Sequence, residues 1–295
     1  MFYKGETLIR AILVVFFFFA FFFFGIPVVG VLFIVRHFNR DASLYATWKI
    51  IRTFLKFELW VSATKVEAEG IENIPDDEPC LFVGNHQSYY DVLSTYVCLK
   101  RPTGYIAKKS ISGIPVMGWW MILMNCLFLD RKDVKQGLRV IMQAIEYVKQ
   151  GCSIFIFPEG TRNKNADKTE LNEFKEGSLK IAQRTGCPVV PVAISGTADV
   201  YENHRPFVKP ATVKVHFLPP FRIADLEGDD RKKPAAYTRR LIMADLRKGR
   251  EDSINSAEAA AVIKDSSADS SAEHSVESIP GSGAENIPEK AAKTG

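Results

Sequence analysis

From residue 64 onward, short runs of β-branched and aromatic residues alternate with stretches of helical period, the pattern of an α/β domain. The runs predict strands at 64–68, 80–84, 104–108, 126–129, 153–157, 189–194 and 212–217. The clearest helix is 134–149. Asp133 stands at its start, Val134, Leu138, Ile141, Ile145 and Val148 recur as a buried stripe, and Gly151 closes it. Further helices are predicted near 89–99, 115–124, 177–185 and 235–247, and no internal repeat is present.

Ahead of this domain the alternation vanishes. Residues 11–35 are 25 consecutive uncharged, mostly apolar positions, and as a helix they extend ~37 Å against a hydrocarbon core of ~30 Å. A cleaved signal peptide has an apolar region about half as long, ending in a small-residue cleavage site, and no A-x-A follows Val35. Gly25, Pro27 and Gly30 invite a kink or turn at mid-depth. The run therefore forms either one membrane helix or a helical hairpin that re-enters its own leaflet. Lys4 and Arg10 precede it, whereas Arg36, Arg40, Lys49 and Arg52 follow, so the downstream chain is expected on the cytoplasmic face.

In residues 42–61, Leu44, Trp48, Ile51, Leu55 and Leu59 recur at three- and four-residue spacing with basic residues between them. That periodicity fits a helix lying at the interface and fits a core-facing helix equally. Past about residue 250 the chain turns to Ser, Ala, Glu and Gly, too poor in large apolar side chains to offset the entropy of ordering. The organisation expected is an N-terminal anchor and interfacial helix over 1–62, a domain over 63–249 and a disordered acidic tail over 250–295.

Composition adds little to this picture, but charge adds something. At 47% hydrophobic the chain has ample material for a core. Its formal charge of +4 hides an asymmetry: the last 45 residues hold nine acidic against three basic side chains, leaving a strongly basic body. A basic body suits an anionic membrane, a phosphorylated substrate or nucleic acid. No nucleic-acid-binding motif is recognisable, and the membrane run argues against that partner. The five cysteines are widely spaced with no C-x-x-C pair, and read as buried thiols in a reducing compartment.

Candidate chemistry begins at "LFVGNHQSYYDVL", residues 81–93, where a strand gives way to a helix with His86 and Asp91 at the junction. Ser88 to Asp91 fits the S-x-x-D capping pattern. His86 precedes the helix, so one ring nitrogen can meet the Asp91 carboxylate while the other faces a cleft. Capping and catalysis are compatible. No G-x-S-x-G or other nucleophile motif occurs, so the hydroxyl that such a base would activate belongs to a substrate.

"NHQSYYD" (85–91), "FLDR" (128–131), "FPEGTRN" (157–163) and "VVPVAISGT" (189–197), with "YIAKKS" (105–110) and "FKEGSLKIA" (174–182) between, resemble in order and spacing the lysophosphatidic acid acyltransferase family over roughly residues 64–220. The resemblance implies a glycerolipid acyltransferase fold with a central mixed sheet. It implies transfer of a fatty acyl group from acyl-CoA or acyl-carrier protein to the sn-2 hydroxyl of 1-acylglycerol 3-phosphate, giving phosphatidic acid with no metal or cofactor. It assigns His86 and Asp91 as the catalytic pair, and Arg131 and Arg162 to the phosphate.

Arg131 follows a strand, so its guanidinium can emerge at the strand's carboxyl end and fork onto phosphate, or else pair with Asp130 or Glu159. Pro158 and Gly160 permit a sharp turn exposing Glu159, Thr161 and Arg162, with Glu159 orienting the glycerol or steadying an arginine. Lys108 and Lys109 can add positive charge. The "VVPVAISGT" block is expected to be structural. The rival acceptors are glycerol 3-phosphate, another lysophospholipid or an amino-acid-derived lyso-lipid. The rival from another class is a membrane-bound binding protein without turnover.

Overall fold

The computed structural model describes residues 2–273, with side chains over 5–255. In chain order the first elements are α1 (Phe2–Phe24), α2 (Ile26–Phe38), α3 (Arg40–Val61), β1 (Thr64–Glu69), β2 (Leu81–Gly84) and α4 (Tyr90–Cys98). Next come β3 (Thr103–Lys108), α5 (Met117–Leu123), β4 (Leu127–Leu129), α6 (Val134–Lys149), β5 (Ser153–Ile156) and α7 (Lys180–Thr185). The last are β6 (Val189–Ser195), α8 (Thr197–Val200), β7 (Ala211–Phe217), α9 (Gly228–Lys232) and α10 (Pro234–Glu273). Among the described residues, those up to Arg247 make one compact unit and those from Lys248 a second.

The strands form one sheet in the order β1-β7-β6-β2-β5-β3-β4. Neighbours are parallel throughout except β6 and β7, which makes the sheet mixed. The central β2, β5 and β6 are apolar at almost every position and buried nearly throughout, as strands must be when helices cover both faces. On one face Phe82, Phe155, Tyr105 and Phe217 meet Trp120, Tyr96 and the α1–α3 layer. On the other, Leu81, Val83, Ile154 and Ile156 meet α6, α7 and the start of α10.

Two N-terminal expectations are resolved. The apolar run is two helices joined at Gly25, because Pro27 offers no amide to continue the ladder. Helix α3 returns antiparallel beside them: Ser43 Oγ donates to Leu32 O at 2.8 Å, and Phe54 stacks on Phe21 at 3.8 Å. Trp48, Ile51 and Leu59 lie in the core, so the face foreseen at residues 42–61 packs inward. Helices α1–α3 belong to the same compact unit as the sheet and do not form a separate segment ending at 62.

Two differences concern helices. The stripe foreseen on 134–149 is buried only in its second half. Val140, Ala144, Ile145 and Val148 are covered, whereas Val134 is 87% exposed and Leu138 59%. The inward side of the first turns does meet the three-residue β4, where Gln136 Nε2 donates to Phe128 O at 2.7 Å and Gly137 lies against Leu129, but the flank that carries Val134 and Leu138 is open. The tail expected to lose order at 250 is helical as far as Glu273. Its alanines, Ala257 and Ala259 to Ala261 above all, favour a helix whose hydrogen bonds are met locally, with no need of a core. The rest of that tail, 274–295, lies outside the described residues.

Candidate active site

Beyond Gly84 the chain leaves the sheet through Asn85-His86-Gln87-Ser88 before α4 begins. Asn85 fastens this loop to β6: its Nδ2 donates to Ile194 O at 2.9 Å and its Oδ1 accepts from Ile194 N at 2.8 Å. Asp91 is fully buried and accepts four bonds. Its Oδ2 takes His86 Nδ1 at 2.7 Å, Gln87 N at 2.6 Å and Ser88 N at 2.8 Å, and its Oδ1 takes Thr197 Oγ1 at 2.6 Å. Ser88 Oγ in turn accepts from Tyr90 N at 3.0 Å. One carboxylate thus closes the capping box and holds the histidine. The His86 ring stacks on Phe157 at 4.4 Å and keeps 18% of its side chain open. With Nδ1–H donated to Asp91, Nε2 is the nitrogen left to accept a proton.

The "FPEGTRN" turn follows β5 and lies against this loop. Gly160 sits at φ +72°, a conformation that favours glycine. Glu159 is 5% exposed. Its Oε1 accepts from His86 N at 2.8 Å, and its Oε2 from Asn172 N at 3.0 Å and Asn172 Nδ2 at 2.9 Å. Burial pushes its carboxyl above the usual range, and these bonds oppose that shift. The carboxylate therefore ties the histidine loop to the turn and steadies neither arginine. Asn163 N, donating to His86 O at 2.6 Å, makes a second tie.

The cations separate into two groups. Arg162 Nη1 meets Glu202 Oε1 at 2.8 Å and its guanidinium lies 4.0 Å over the Tyr89 ring. Glu202 also accepts from Ser88 Oγ and from Tyr89 N. Arg162 is thus at the site but already engaged by an acid. Lys109 pairs with Asp130 at 3.2 Å. Arg131 is exposed and, among the described residues, meets neither Asp130 nor Glu159 nor any other carboxylate; partial burial lowers its pKa.

Beside Arg131 stands Lys175. A Cβ placed on Gly160 would lie 3.4 Å from Lys175 Nζ and 3.9 Å from Arg131 Nε, so both heads flank one bare stretch of backbone next to Glu159. Lys175 also makes no ion pair among the described residues. Thr161 is exposed in the same turn.

Reading the sequence alone left Lys175, Thr197 and Glu202 without roles. Lys175 and Thr197 belong to blocks that carried the resemblance, "FKEGSLKIA" and "VVPVAISGT", and that was their only signal. Glu202 follows the last block and reaches the site through folding alone.

A loop histidine locked to a buried aspartate at the carboxyl end of a mixed sheet, with unpaired cations one turn away, defines a class of domain. Residues 65–195 of this chain, 131 of its 295, match the acyltransferase family model. Its relatives narrow the class. A chloroplast 1-acyl-sn-glycerol-3-phosphate acyltransferase of Brassica napus is 40% identical over 48% of this chain and 42% of its own. The 1-acyl-sn-glycerol-3-phosphate acyltransferase of Borreliella burgdorferi is 29% identical over 67% of this chain and 78% of its own. The crystal structure of the 1-acyl-sn-glycerophosphate acyltransferase of Thermotoga maritima superposes with a TM-score of 0.71 at 27% identity, covering 84% of this chain and 97% of that one. The chain spans about two fifths of the two chloroplast relatives it matches, 42% and 41%.

Proposed function

We propose that this chain transfers a fatty acyl group from a thioester donor, acyl-CoA or acyl-carrier protein, to the sn-2 hydroxyl of 1-acylglycerol 3-phosphate, forming phosphatidic acid. The observation that carries the reading is the His86–Asp91 pair, fixed by four bonds to one buried carboxylate, beside two cations that lack an acid partner. His86 Nε2 takes the proton from the acceptor hydroxyl as its oxygen attacks the thioester carbonyl, and Asp91 holds the ring and supports the imidazolium. The tetrahedral intermediate collapses with loss of a thiolate, which needs little acid assistance because thiols ionise near pH 8.5, about the value for free cysteine. Base, hydroxyl and thioester are the whole reaction, with no metal or cofactor in any step.

The phosphomonoester is taken by Arg131 and Lys175, and Arg162 acts by holding Tyr89 and the loop through Glu202. Glu159, Gly160 and Thr161 shape the turn that presents these groups. Gly5–Phe24 is long and apolar enough for a membrane helix, which supports a membrane-associated enzyme, and the basic residues Arg36, Arg40, Lys49 and Arg52 after the apolar run support a catalytic body on the cytoplasmic side, where a water-borne donor meets a lipid acceptor.

The test is purified protein offered lysophosphatidate, glycerol 3-phosphate and other lysophospholipids in competition, with acyl-CoA and acyl-carrier-protein donors, products being separated by thin-layer chromatography. Phosphatidic acid should dominate. His86→Ala should lose about 10²–10⁴-fold in turnover while still folding and binding vesicles. Preference for another acceptor, or unchanged turnover in the variant, overturns the reading.

A further inference from the structure

The first half of α6 presents Val134, Leu138 and Met142, at 87, 59 and 52% exposure, along one stripe at four-residue spacing. Lys132, Lys135 and Arg139 flank it, all exposed, and none makes an ion pair among the described residues. Asp133 is occupied by the cap at Gln136 N, and Glu146 by Lys149. An apolar stripe bordered by unpaired cations is the face of a helix that lies in a lipid interface.

Its position in the fold agrees. Helix α6 starts three residues after Arg131, at the edge of the candidate site. Strand β4 ends the sheet on this side. Helix α5, which precedes β4 in the chain, exposes Trp119 and Ile122, and it packs on the apolar N-terminal helices through Trp120 against Phe21 and Gly25. Exposed apolar side chains thus occur on α1, α2, α5 and α6 of the same compact unit.

We propose that the first half of α6 is a second membrane-binding face, docking on an anionic bilayer surface so that the site mouth lies between it and α1–α2. The occupant is the lipid surface because the stripe is both apolar and bordered by unpaired cations, and the same compact unit carries an apolar helix long enough for a membrane. An acidic protein partner would be served by the cations alone. The inference concerns contact with lipid and is tested without turnover, so it can fail while the proposed acyl transfer holds.

The experiment uses the full chain with an environment-sensitive fluorophore on Leu138→Cys, and on Asp229→Cys as an exposed control. The proteins are bound through their N-terminal helices to vesicles of neutral lipid, or of neutral lipid with anionic phosphatidylglycerol. On anionic vesicles the probe at 138 should shift to shorter wavelength and lose most of its quenching by aqueous iodide, whereas the probe at 229 should not. In Lys135→Glu/Arg139→Glu the protected fraction should fall, by about fivefold in partition per charge removed, and high salt should mimic the change. Equal quenching at 138 and 229 on anionic vesicles overturns the proposal. So does protection at 138 without vesicles, which indicates a second copy, or protection that requires added acyl-carrier protein.

Discussion

At Asp91 four donors converge on one buried carboxylate, and the one from farthest along the chain, Thr197 Oγ1, is the most informative to remove. Thr197→Val leaves volume nearly unchanged but strips Oδ1 of its bond, a loss of about 1–3 kcal/mol for a buried acceptor. Turnover is expected to drop by about tenfold with little change in KM for lysophosphatidate, because the ring loses orientation while the phosphate grip stays. Steady-state kinetics separate the two parameters. Lys175→Met should do the reverse, raising KM for lysophosphatidate by about tenfold or more with a smaller effect on kcat, since a charge-assisted bond to phosphate contributes about 1.5–3 kcal/mol. If Lys175→Met leaves KM unchanged, the phosphate sits elsewhere.

These two residues also show what the sequence could convey about the site. His86 and Asp91 are five positions apart and were legible as a pair. Lys175 meets Arg131 only because its amide, bonded to Pro158 O at 3.2 Å, fixes that loop against the turn. Arg162 looked free in sequence, because the acid that engages it is 40 residues away.

Among the elements, all seven strands were legible: β2, β5 and β6, covered on both faces, write continuous apolar runs, and β7 alternates buried with open positions. Helical burial was less so: period alone gives a face but not how far the neighbouring layer extends, and beside the three-residue β4 the flank of α6 with Val134 and Leu138 is open. Helix α3 carries a feature that no periodicity shows. Glu58 is 2% exposed, and neither carboxylate oxygen has a hydrogen-bond partner among the described residues. Burial pushes its pKa up to about 7.

A carboxyl whose folded pKa lies above its unfolded value binds more protons in the native state over the interval between them. Stability therefore falls as pH rises from about 4.5 to about 7 and is level beyond. Glu58→Gln, which cannot ionise, should unfold at higher denaturant than wild type at pH 8, by about 1–3 kcal/mol. The two should nearly coincide at pH 4.5. Urea titrations at both pH values read this directly, and an equal difference at the two would show that ionisation is not the cause.

At the scale of the whole molecule, the N-terminal helices raise a geometric constraint. Thr7 O accepts from Val208 N at 3.4 Å, and Arg36 Nη2 donates to Asn125 Oδ1 at 3.1 Å. These points lie about 43 Å apart along α1 and α2 at ~1.5 Å per residue, more than the ~30 Å hydrocarbon core, yet both are fastened to the same catalytic body. A run that crossed the bilayer would separate its ends by the membrane, and one of those contacts would have to break. The arrangement favours helices lying within one leaflet, their outward Phe16, Phe19, Phe23 and Ile34 in lipid.

Single cysteines test it. All five native thiols are free, four of them buried, and burial raises Cys80 to about 12 and the half-buried Cys98 to about 11, so they react slowly. Gly5→Cys, where an added Cβ meets nothing within 4 Å, and His37→Cys, at an exposed position, bracket the run. In vesicles with the cytoplasmic face outward, a membrane-impermeant maleimide should label both, and in intact cells neither. Labelling of one position from each side would require a helix that crosses, and with it a body that releases either Thr7 or Arg36.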